Sequence, residues 1–172
     1  MTAPDPLALA ADLLNAPSLD VPTLTRLSKD NGYGDPRIST ADVELVTSVL
    51  PTQRRVFTAE TPADAVETVN ALLRLAPVRP RLVPGTAGGA PTLQMHAADE
   101  AFGLVFLSEF SLAAAQLAAV GQIGRLRRCE ATDCELVFVD RSRSRVRRYC
   151  DTRTCGNRMN VAAYRRRQRN AT

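Results

Sequence analysis

Among 172 residues there is no tryptophan, one histidine and one lysine, and aromatic side chains make up 5% of the chain. The lone imidazole, His96, alternates with apolar neighbours and reads as a strand-edge residue, which leaves a nucleophilic triad without its base. Near the basic end Tyr149 and Tyr164 are the only aromatics able to stack on bases, a thin platform for single-stranded RNA. No glycine-rich phosphate loop, internal repeat or low-complexity run appears. The opening segment has no basic stretch followed by an apolar core, so no export signal is read and a reducing cytoplasm is expected. Long apolar runs are also scarce. Residues 101–120 form the one candidate, but they carry Glu109, Gln116 and two serines, and polar groups at mid-bilayer are costly. A buried core helix is expected there, with no membrane partner.

Cysteine is missing from the first 128 residues, and all four fall between 129 and 155. The charge divides at the same place. Residues 125–169 hold fourteen arginines against five acids, a surplus of nine positive charges, whereas the remaining eight basic and thirteen acidic residues leave the first 124 positions at −5. A net charge of +4 therefore conceals a mildly acidic body, residues 1–124, and a strongly basic segment, residues 125–172. Such asymmetry points to a polyanion partner for the basic part.

The body reads as mainly helical. Residues 6–16 suit a short helix ending at Pro17. Asp20 can cap a second that runs out at Asn31-Gly32, and Ser39 with Asp42 and Thr61 with Asp64 resemble capping boxes before two longer helices. Between residues 78 and 98 two short runs flank GTAGG, the pattern of a β-hairpin with a glycine-rich turn. Asp99 then caps the apolar helix. The fold class expected is α+β: a helical body with one hairpin, then a small four-cysteine unit of hairpin followed by helix.

Cys129 and Cys134 form one C-x4-C pair, and Cys150 and Cys155 form a second. Thiolates from two turns can close a tetrahedral Zn²⁺ site. Two disulfides or unligated thiols are the alternatives, and a reducing compartment favours the metal. Residues 135–139 read as a strand and residues 145–149 as its return, which would bring Cys150 beside Cys134. Gly156 follows the last cysteine, where a tight turn accepts positive φ. If zinc takes all four thiolates no coordination position stays open, so the site is structural and no enzyme is expected.

RLRRCEATDCELVFVDRSRSRVRRYCDTRTCGNRMNVAAYRRR resembles the CGNR zinc finger, through its paired cysteines, the Phe138-x-Asp140-x-Ser142 stretch and the motif Cys155-Gly156-Asn157-Arg158. Tyr149 stands where that family commonly has Trp, and Asn160 where it commonly has Lys. The resemblance implies bound zinc and DNA as partner. It also implies a bacterial transcription regulator whose N-terminal half is an ABATE domain, which the body resembles in helix order and in its hairpin before a final helix. Sensing of a small-molecule effector and homodimerisation are the expected roles of that half.

Within the basic segment Arg143, Arg145, Arg147, Arg148, Asn160, Arg165, Arg166, Arg167 and Arg169 are the expected nucleic-acid contacts, with Arg141 among the surrounding charges. Arg167 and Asn160 are the candidates for reading bases. A solvated charge run is the plain alternative. Asp140, Gly156, Asn157 and Arg158 are expected to be structural, Arg158 pairing with Asp140 and Asn157 capping the helix. Met159, Val161, Ala162 and Ala163 are expected to face the metal unit. A redox-sensing zinc-thiolate protein and an RNA-binding module are the competing functions, since arginine neighbours lower thiol pKa.

Overall fold

The computed structural model describes residues 3–76, 78–84, 89–96 and 100–170. Among the described residues five helices form the body: α1 (Pro6–Asn15), α2 (Val21–Asp30), α3 (Thr40–Phe57), α4 (Pro62–Leu75) and α5 (Phe102–Ala119). Local chemistry starts most of them. Asp20 accepts the Thr23 N–H at 2.8 Å, and full capping boxes join Ser39 to Asp42 and Thr61 to Asp64. Each satisfies N–H groups that a helix start otherwise leaves unpaired. Gly32, at φ 87°, takes the chain out of α2 in a conformation that suits glycine.

Strands β1 (Arg81–Val83) and β2 (Thr92–Gln94) pair antiparallel with Leu82 opposite Leu93, as the hairpin pattern predicts. Most of its glycine-rich turn, and Asp99, lie outside the described residues. The cap found at α5 comes from another helix. Asp42 accepts the Gly103 N–H at 2.8 Å while its other oxygen stays on Ser39. A Cβ on Gly103 would meet Leu45 Cδ2 at 3.0 Å and the Asp42 carbonyl oxygen at 3.3 Å, so any larger residue would press the two helices apart by a few tenths of an ångström.

By length and composition α5 would suffice to cross a membrane. In this fold it packs on α1, α3 and α4, with Phe106, Phe110 and Ala114 fully enclosed. From α5 Glu109 accepts the Tyr33 hydroxyl at 2.6 Å and lies 3.1 Å from His96 Nε2. His96 thus sits just past β2, tied to the body, and does not stand at a strand edge.

A 3₁₀ turn (Ile123–Arg125) leads into the basic segment, whose strands β3 (Leu126–Arg128) and β4 (Val137–Val139) pair antiparallel. This corrects the expected hairpin. β4 pairs with the strand before the first cysteine pair, and residues 145–149 form no ladder. The reason is burial: Leu126 and Val137 belong to the body's core together with Ile123, so β3 and β4 must present one side to the helices. Asn15, at the end of α1, completes the seam. Its amide donates to the Val137 carbonyl at 2.8 Å and its carbonyl accepts the Val137 N–H at 2.9 Å. Arg54 of α3 reaches across to the carbonyls of Leu14 and Glu135.

Candidate metal centre and basic face

Between β3 and β4 the chain makes a knuckle. Cys129 continues the ladder, its N–H bonding to the Leu136 carbonyl at 2.8 Å, and the Cys134 N–H turns back to Ala131 at 3.1 Å. Cys150 arrives from the far side of a loop and Cys155 from a wide helical turn (Thr152–Gly156) that runs into α6 (Asn157–Asn170). The four Sγ atoms all lie within 4.8 Å of one another, with Cys134 to Cys150 and Cys150 to Cys155 at 3.7 Å. Sulfurs held roughly 2.3 Å from a tetrahedral centre stand about 3.8 Å apart, so the spacing fits a four-thiolate metal site. No S–S bond joins the four cysteines, and the two 3.7 Å separations match sulfurs around an ion and not the roughly 2.05 Å of a disulfide.

The sulfurs also have the surroundings such a site needs. Burial raises the thiol pKa of Cys129, but the N–H groups of Ala131 and Cys150 outweigh it and bring the value below the ordinary one. At Cys150 burial and the three neighbouring sulfurs push the thiol well above its usual range, so four thiolates together call for a cation. Arg158 Nη2 lies 3.5 Å from Cys155 Sγ and bonds Asp133 at 2.7 Å, bracing the outer side of the site.

Residues 125–168 match the family model of the CGNR zinc finger. Together with the four-cysteine cluster this suggests zinc binding. No curated protein matches the chain.

Several structural residues of the CGNR segment act differently from expectation. Asp140 is fully enclosed and does not pair with Arg158. Its Oδ1 accepts the Ser142 N–H at 2.9 Å and hydroxyl at 2.6 Å, and its Oδ2 accepts the Arg147 N–H at 3.0 Å. Burial opposes ionisation there, yet these bonds and the nearby Arg127 charge hold the carboxyl below the usual carboxylate range. Gly156 is buried but has no positive φ, and a Cβ on it would meet nothing nearer than 3.6 Å. Asp151, not Asn157, caps the last turn, accepting the Thr154 N–H at 2.7 Å. Val161 and Ala162 are exposed, so of the residues expected against the metal unit only Met159 and Ala163 are half-buried.

The arginines separate into three sets. Arg125, Arg127 and Arg147 turn inward onto main-chain carbonyls: Arg125 onto Asp140 and Ser142, Arg127 onto Gly124 and Arg147, and Arg147 onto Tyr149 and Cys150. The Arg147 guanidinium also lies over the Phe138 ring at 4.9 Å. A second set is paired with acids: Arg128 with Glu135, Arg141 with Asp5, Arg148 with Glu130 and Arg158 with Asp133. The third set is exposed and has no acidic partner among the described residues: Arg143, Arg145, Arg153, Arg165, Arg166, Arg167 and Arg169. Arg143 and Arg145 stand on the loop that Asp140 closes, and Arg145 has φ 56°, a strained value for a non-glycine residue. Asn160 is exposed on the same helix, on the side that carries Arg167. Sequence reasoning missed this sorting, because charge counts do not show which guanidinium groups are used as internal donors.

Proposed function

We propose that residues 125–170 form a zinc-stabilised DNA-binding module and that the protein is a bacterial transcription regulator. The observation that carries this reading is the third set of arginines: seven unneutralised guanidinium groups gathered on one loop, one turn and one helix of the metal unit. A charge run serving only solubility has no need of a rigid metal mount. Zn²⁺ held by Cys129, Cys134, Cys150 and Cys155 leaves no open position and does structural work, aiming α6, so the protein is read as a non-enzyme. The body's resemblance to the ABATE domain supports giving it the sensing and dimerising half of the regulator. Thin aromatic display makes RNA the weaker partner, and closed coordination makes redox sensing the weaker role.

Guanidinium groups spread over several elements neutralise phosphates, and each contact releases counterions. Fluorescence anisotropy of the full-length zinc-loaded protein with labelled duplex DNA, at several salt concentrations, tests the reading. Affinity should fall steeply with salt, and Arg165→Ala, Arg166→Ala and Arg169→Ala should each lower the salt slope by roughly 1. Absence of binding to any duplex at low salt would sink it.

A further inference from the structure

Among the described elements α6 packs appreciably only against the turn that carries Cys155. Its one inward side is marked by the half-buried Met159 and Ala163. At about 3.6 residues per turn, Asn157, Val161, Tyr164 and Gln168 line up as one stripe on the outward side of the helix, and Arg165 stands next to Val161 on that same side. That stripe holds no charge. Val161 and Tyr164 are 48% and 57% exposed, apolar surface that no described residue covers, and Gln168 Nε2 donates to the Tyr164 hydroxyl at 3.1 Å. Arg165 and Arg169 run along one flank of the stripe and Arg167 along the other, and α6 contains no acid.

This arrangement differs from a uniformly basic helix. An uncharged centre of two amides, a branched aliphatic and a tyrosine between cationic margins matches the cross-section of a DNA major groove. The groove floor there offers base-edge donors, acceptors and thymine methyl groups, and its walls are phosphates. A groove about 12 Å wide admits an α-helix, and the stripe from Asn157 to Gln168, about eleven rises of 1.5 Å or roughly 16 Å, covers no more than about five base pairs at roughly 3.4 Å each.

Resting on the DNA reading above, we infer that Asn157, Val161, Tyr164 and Gln168 are the specificity-determining residues. They read a short site containing A·T pairs in the major groove of duplex DNA, Val161 against a thymine methyl and an amide side chain against adenine. Arg167 and Asn160, the readers expected from sequence, take flanking positions.

The experiment is selection from a pool of random-sequence duplexes by the full-length zinc-loaded protein, followed by sequencing, for the native chain and for Val161→Ala, Tyr164→Ala, Gln168→Ala and Arg165→Ala. The four side chains are exposed and Met159 is untouched, so folding should persist; zinc content and circular dichroism confirm it for each variant. An enriched site of up to about five base pairs is expected, and Val161→Ala or Gln168→Ala should relax preference at one position roughly five- to hundredfold. Arg165→Ala should weaken binding without changing the site. The same site from native protein and all three stripe variants, or duplex binding with no enriched site, overturns the stripe as reader and leaves the DNA reading standing. No duplex binding at low salt, or capture of single-stranded RNA in preference to duplex, overturns both.

Discussion

Asp140 shows how one carboxylate can define a loop. Its two oxygens take three donors from Ser142 and Arg147, closing residues 140–147 so that Arg143 and Arg145 project outward. Asp140→Ala would leave these half-buried donors unpaired, so a loss of about 1 kcal/mol is expected in chemical denaturation. Because its folded pKa lies below the unfolded value, the stability it adds is complete above about pH 4 and disappears as pH falls through the folded pKa. Acid loss of zinc affects the native chain and Asp140→Asn alike. The stability difference between them should therefore shrink below about pH 4, which denaturation at stepped pH measures. At this scale the sequence was legible where one residue type has one job: the cysteine quartet came together, and so did both capping boxes. It misled where a residue had several available partners. Arg158 had an acid nearer in space, Asp133, and Asp140 was already saturated by its own loop.

At the scale of elements, α6 is unusual in having little beneath it. A helix of fourteen residues is marginal alone in water, and here only its first turns touch the module. Amide hydrogen exchange should find Asn157 to Met159 protected and Tyr164 to Arg169 nearly unprotected in the free protein. Duplex DNA should raise protection in the second group. Equal, strong protection along the whole free helix would show a support that these contacts do not contain. The helices of the body could be read from the sequence because their caps and apolar spacing are local signals. The strand pairing could not. Residues 135–139 and 145–149 look equally suited to pair, and the choice is made by distant residues, since α1 and α3 bury Leu126 and Val137.

For the whole molecule, the charge boundary and the packing boundary do not coincide. Charge changes at residue 125, but β3 and β4 lie in the body's core and Asn15 binds Val137 through both its main-chain groups. Removing zinc should consequently release residues 141–170 and the knuckle while α1 to α5, β3 and β4 keep their exchange protection; loss of protection throughout the chain would refute this. Asn15→Ala should destabilise the protein by on the order of 2 kcal/mol, because two buried main-chain groups lose their partners, and thermal melts of the zinc-loaded chain measure it. The arginine sorting has a further consequence in the cell. The only lysine, Lys29, sits on α2 paired with Asp35 at 2.7 Å, far in sequence from the basic unit. Every positive charge the module offers is a guanidinium, a group that stays protonated at any physiological pH and that acetyl transfer to lysine does not touch. On the DNA reading proposed above, acetylation therefore leaves the module's charge untouched, and any covalent control of its grip has to act on another residue type.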